Sequence, residues 1–338
     1  MLKVLAFVKK NLQWLMIGVI ALGLVNLKLF GGWDLPRPLL VGIVIFLVIF
    51  PVMINTRFDE LFSHLTEPRP VFCSLVLNFF ISPLIAWLAA SLFLRSEPEL
   101  ATALFLIALV PTSAMSAAWT AFSGARMATV LYLIPANLLF AAFVGLPLIF
   151  PLLVGDTVAV NQLAIIKNIL LVFLTPLILG DLTRRLIIRV KGRETYQNRI
   201  KPELGGVSGV GVLILIFLVM SLERNAVLLE NPGLIGKVIV PVALYYLLMY
   251  VSSVLWSLLL IRQGIMAGEK AVVVVYTSVA RHVNICLALA LSAFPLEAAS
   301  LMILLLIVGY MIQVPTLAFY AQHHGKKLAA MSAGSQSA

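Results

Sequence analysis

Ten apolar runs joined by short polar connections leave this chain few folds to adopt. Roughly 20 apolar residues carry a helix across a bilayer, so 338 residues accommodate roughly eight to ten such helices. The runs fall at 12–27, 37–56, 70–94, 100–122, 128–154, 163–188, 205–222, 234–261, 270–294 and 297–320. Residues are 62% hydrophobic and 11% charged, with mean hydropathy +1.08, which excludes both an ordinary soluble domain and a disordered chain. No connection is long enough to hold an aqueous catalytic domain. The expectation is an all-α multi-pass membrane protein seated in a lipid bilayer, the bacterial inner membrane.

The net charge of +10 does not point to nucleic acid, because the basic residues lie between apolar runs rather than along one face. Sorted by alternate connections, seventeen of the 24 Lys and Arg fall on the side of the N-terminus, among them Lys3, Arg57, Arg69, Arg126, Arg262, Lys270 and Lys326. Six fall opposite: Lys28, Arg37, Arg95, Lys167, Arg224 and Lys237. This bias predicts ten spans with both termini cytoplasmic. The apolar run after Lys10 lacks a small-residue cleavage site and reads as a retained first helix. Segment 184–204, with seven basic residues, reads as a cytoplasmic midpoint loop. It separates residues 1–183, a first five-helix repeat plus the start of the sixth helix, from 205–322, the remainder of the second, and 323–338 reads as a cytoplasmic tail. Five spans per half require inverted topology, a common plan among secondary transporters.

One basic residue falls on neither side. Arg281 lies in the ninth run, within Ser278-Val-Ala-Arg-His-Val-Asn-Ile-Cys-Leu-Ala288. An arginine at that depth costs from roughly 3 kcal/mol to more than 10 and normally faces a polar cavity. The fourth run, in the corresponding place of the first half, contains Pro111-Thr-Ser-Ala-Met-Ser-Ala-Ala-Trp-Thr120. Pro111 removes a backbone donor and breaks its helix, and paired interruptions in corresponding spans point to a midplane binding site. Arg281 offers a five-donor fork for a carboxylate or oxyanion, or else a structural pair with helix carbonyls. His282 is a candidate proton carrier or a neutral core histidine. Asn284, Thr112, Ser113, Ser116 and Thr277 are candidate substrate contacts, although hydroxyls in membrane helices also bond back to carbonyls. Cys286, four residues after His282, reads as packing or as a metalloid contact. Met115 and Trp119 read as packing, and Arg126 as a topology charge. Cys73 and Cys286 both lie in apolar runs, so no disulfide framework, metal site or cofactor is indicated.

These two stretches resemble the bile acid:sodium symporter family and its arsenite-efflux relatives, in the bile/arsenite/riboflavin transporter superfamily. The resemblance implies a core and a panel domain, with the broken fourth and ninth helices crossing at the substrate site. Sodium-coupled members would place an Asn where this chain has Ala117 and a carboxylate near Thr277. Arsenite-efflux members would place a Cys at Thr112 or Ser113 and a Glu at Asn284. Gly206-Val-Ser208-Gly209 also spells the GxSG of rhomboid-type intramembrane serine proteases, with His282 as candidate base, or else a glycine face for close helix packing. The expected function is secondary transport of a small organic anion or oxyanion by alternating access, coupled to protons in preference to sodium. Arsenite efflux is the alternative and proteolysis the third reading. The sequence sets no oligomeric state.

Overall fold

The computed structural model describes residues 2–56, 67–113, 115–155, 162–223 and 233–334, and every regular element among them is helical. In chain order these are α1 (Leu2–Phe30), α2 (Arg37–Ile54), α3 (Pro68–Phe93), α4 (Pro98–Leu109), α5 (Met115–Phe122), α6 (Met127–Val154) and α7 (Gln162–Lys191). There follow α8 (Arg193–Met220), α9 (Gly233–Arg262), α10 (Gly268–Val279), α11 (Val283–Ala293), α12 (Leu296–Tyr320) and α13 (Lys326–Gly334). Among the described residues, six helices are long and apolar enough to cross a membrane. The fourth and ninth apolar runs are each divided into two short helices, α4 with α5 and α10 with α11. Arg57 and Arg224, counted in the charge bias, lie outside the described residues.

Proline shapes the long helices. Four π-helical turns, Val44–Ile49, Leu77–Ile81, Ala141–Ile149 and Tyr196–Ile200, are each followed at the second residue by Pro51, Pro83, Pro151 or Pro202. Proline cannot donate to the preceding turn and its ring crowds that turn's carbonyl. A widened turn relieves the clash without ending the helix.

The basic segment 184–204 is not an extended loop: apart from Gly192 it is helical. Asp181 binds Arg184 at 2.6 Å and Arg185 at 2.7 Å, one turn on along the same helix. Cations in the last turn also favour the helix dipole. Gly192, at φ 82°, is the left-handed residue that ends α7. Hydropathy marks where a helix leaves the apolar zone, and this one continues beyond it. The segment after 322 is likewise helical to Gly334, and Gly325 lies so close to the Tyr276 hydroxyl and Ser123 that a Cβ there would collide with both.

By packing, the chain divides into two units. The first comprises Met1–Thr56, Ala159–Val238 and Asn284–Ile307; the second comprises Arg57–Val158, Ile239–Val283 and Val308–Ala338. In the first, small residues let backbones approach. A Cβ on Gly206 would strike Leu5, and one on Gly211 would sit 2.7 Å from the Leu47 Cβ. The second holds α3 to α6, most of α9, and all of α10. Every residue of α10 from Ala271 to Val279 is buried, as expected of a helix that is apolar on all faces.

Candidate functional site

Within the second unit the two breaks meet. Pro111 and Arg281 face each other in an isolated antiparallel bridge. Thr112 N–H donates to the Ala280 carbonyl at 2.7 Å, and His282 N–H donates to the Val110 carbonyl at 2.9 Å. Each break therefore supplies a donor for a carbonyl that the other has released, which is how irregular backbone survives away from water. Hydroxyls complete the accounting. Thr112 Oγ1 donates to Thr277 O at 2.8 Å, Ser116 Oγ to Tyr276 O at 3.2 Å, and Ser82 Oγ to Ala108 O at 2.9 Å. Thr112 has φ 65°, the one positive value at a non-glycine among the described residues. For a β-branched side chain this is strained by about 1–3 kcal/mol, and its two hydrogen bonds hold it there.

Arg281, 1% exposed, follows directly. Its backbone N–H donates to Gln313 Oε1 at 2.7 Å, and its Nη1 to the Ala108 carbonyl at 3.1 Å. The Tyr245 ring centroid lies 5.8 Å from Cζ, and the Tyr245 hydroxyl bonds Ser82 Oγ at 2.8 Å. Gln313 Oε1 also accepts from the Tyr246 hydroxyl at 3.0 Å. Arg281 Nε and Nη2, Gln313 Nε2, His282 Nδ1 and Ser113 Oγ are buried with no hydrogen-bond partner among the described residues. A buried cation without a counter-charge is among the costliest arrangements a protein interior can hold.

The sequence candidates thus divide. Pro111, Thr112, Ser113, Ser116, Thr277, Arg281 and His282 all belong to the second unit. Asn284 and Cys286 belong to the first, where Asn284 Nδ2 donates to Ser208 Oγ at 3.3 Å and Cys286 is buried. Ser208 Oγ donates its own hydrogen to Val48 O at 3.0 Å. It serves helix packing together with Gly206 and Gly211. Thr112 and Ser116 spend their hydroxyls on α10 carbonyls, across the break rather than back along their own segment. Trp119 packs edge-on against Phe122.

Sequence reasoning missed three groups. Gln313, the one amide in the apolar run of α12, was legible by its rarity alone. So were Ser74, Asn78 and Asn137, which form a buried network: Asn78 Nδ2 donates to Asn137 Oδ1 at 3.0 Å, and Asn137 Nδ2 to Ser74 Oγ at 2.9 Å. Ser74 Oγ also lies 3.4 Å from Thr277 Oγ1. The third is ionic. Glu67 receives Lys270 at 3.0 Å, Arg126 at 3.1 Å and the Tyr132 hydroxyl at 3.1 Å, while Arg126 also approaches Glu269 at 3.8 Å. Burial alone would raise the Glu67 pKa, but the Lys270 and Tyr132 hydrogen bonds and the two cations outweigh it and hold the carboxyl below its ordinary value. No group of three or more His, Cys, Asp or Glu able to hold a metal ion occurs among the described residues.

Two interrupted helices bonded break to break in a polytopic apolar chain define the class, a membrane transporter. The chain belongs to the Sodium Bile acid symporter family, whose model matches residues 42–230. It is 26% identical over 297 residues to the arsenical-resistance protein Acr3 of Corynebacterium glutamicum, covering 85% of this chain and 77% of that protein. It is 25% identical to the Acr3 protein of Alkaliphilus metalliredigens, covering 64% of this chain and 63% of the relative. A probable sodium/metabolite cotransporter of Arabidopsis chloroplasts, BASS5, is 24% identical over 58% of this chain and 47% of its own length. The protein is accordingly a multi-pass membrane transporter and not an enzyme.

Proposed function

We propose that the protein is a secondary active transporter of a small organic anion or oxyanion, with the substrate bound at the crossed breaks. Ten spans in two inverted five-helix repeats, with both termini cytoplasmic, complete this reading; the charge bias and the paired breaks support it. The observation that carries the substrate class is Arg281: a guanidinium 1% exposed, beside an aromatic face and one carbonyl, with no carboxylate paired to it among the described residues. An anion is the partner that repays its burial. Thr112 and Ser116 shape the site by fixing the end of α10. Ser113 and His282 supply further polar atoms, and Asn284 stands on the half-helix that follows.

Coupling to protons, or exchange, fits Ala117 and Thr277 better than sodium does, since sodium needs several oxygen ligands. Reconstituted protein should take up or exchange anions, and Arg281→Gln should reduce this to the level of protein-free liposomes while leaving the fold intact. Wild-type uptake by that variant refutes the site assignment. The second reading is metalloid efflux, favoured by the arsenical-resistance names of two relatives. Cys286→Ser should leave anion transport unchanged; loss of arsenite resistance in that variant would favour efflux instead.

A further inference from the structure

Arg281 is anchored at one corner of its guanidinium only. Nη1 donates to Ala108 O at 3.1 Å, whereas Nε and Nη2, which share the opposite edge, have no hydrogen-bond partner among the described residues although both are buried. In a planar guanidinium the N–H groups of that edge run parallel, spaced to meet two oxygens carried by one atom. Gln313 adds a third donor. Its Oε1 receives both the Arg281 backbone N–H at 2.7 Å and the Tyr246 hydroxyl at 3.0 Å. Rotating the amide would place its NH2 against the Arg281 N–H, a donor that has nothing to give up, so the orientation is determined. Gln313 Nε2 is thereby left buried and without a partner, one amide width from the Arg281 backbone. The Tyr245 ring centroid lies 5.8 Å from Arg281 Cζ, with the Tyr245 hydroxyl tied to Ser82, and Tyr246 is tied to Gln313.

Three buried donors from two residues, with no acidic acceptor bonded to any of them among the described residues, describe a preference narrower than negative charge. We infer that the substrate presents two oxygens on one centre, a carboxylate or similar oxyanion, gripped side-on by Arg281 Nε and Nη2, and that Gln313 is a specificity-determining residue whose Nε2 bonds the same group. The inference rests on the proposed anion transport and narrows it. A halide offers one centre to both N–H groups and meets neither of them linearly; a neutral hydroxide such as arsenous acid lacks the charge to offset the guanidinium.

The test uses the purified full-length protein in detergent at constant ionic strength, titrated with acetate, succinate, benzoate, chloride, thiocyanate and arsenite. Wild type should bind at least one carboxylate about tenfold tighter than chloride, the margin a charge-assisted hydrogen bond supplies. Arg281→Lys keeps the charge but loses the fork, and should bring that ratio near one. Gln313→Glu keeps an acceptor for the Arg281 N–H but replaces Nε2 with a carboxylate oxygen, and should remove carboxylate binding; it decides the matter if the lysine variant does not fold. Chloride binding as tightly as every carboxylate, or undiminished carboxylate preference in Arg281→Lys or Gln313→Glu, overturns the inference while leaving anion transport standing. Binding of arsenite alone, or of none of the probes, overturns both.

Discussion

Arg126 and Arg281 belong to the same unit and are treated in opposite ways. Arg126 has a side chain 39% exposed and two carboxylates within 4 Å, Glu67 and Glu269. Arg281 is 1% exposed and bonded to one carbonyl through its guanidinium. Solvent already lowers the cost of Arg126, so its carboxylates add modestly to stability. Arg281 has no such relief, and two of its nitrogens have no hydrogen-bond partner among the described residues. Among the described residues, carboxylates accompany the cation that water reaches and none bonds the buried one, and it is this difference that supports the proposed anion site.

The largest break in that comparison is functional. Arg126→Gln should retain anion uptake in proteoliposomes and lose about 1 kcal/mol of stability or less, whereas Arg281→Gln should lose uptake. Equal loss in both variants would mean that position, not pairing, decides the matter. Next comes the strained residue beside the bridge. Thr112→Val keeps a β-branched side chain at φ 65° and leaves the Thr277 carbonyl without its hydroxyl donor. It should cost about 1–3 kcal/mol in detergent unfolding. Thr112→Gly loses the same bond but relieves the backbone strain, and should unfold at a higher temperature than Thr112→Val. A glycine variant less stable than the valine one would remove strain from the account.

How much of this was legible beforehand follows from what apolarity and charge encode. Pro111 and Arg281 each stand out in an otherwise apolar run, and the structure joins these two residues in one bridge. The helices between them were equally readable, because about 20 apolar residues admit little else. The role of Gln313 was not: its rarity in α12 marks the residue, but one amide says nothing of which carbonyl or N–H it will meet. Nor was the partnership of Asn284 with Ser208, which depends on which helices pack together. The basic segment is a different case: its seven cations in 184–204 read as a loop, but Asp181 pairs with Arg184 and Arg185 and the helix runs on to Lys191.

A smaller effect separates the paired cluster from the unpaired cation by pH. The Glu67 carboxyl is held below its ordinary 4.5 in the folded protein, so its contribution is fully present above that pH and is lost as pH falls through the folded value. The melting-temperature difference between wild type and Glu67→Gln should therefore be constant near neutrality and shrink below about 4.5. A difference that grows on acidification would reverse the assigned direction.

The contrast between the two arginines is tested most directly by ligand-induced stabilisation, because an anion that binds only the folded protein raises its melting temperature. Wild type, Arg126→Gln and Arg281→Gln would be titrated in parallel with the carboxylate that stabilises wild type most. Stabilisation of the first two and none of the third is the expected result. Undiminished stabilisation of Arg281→Gln would show that the buried guanidinium is not where the anion binds.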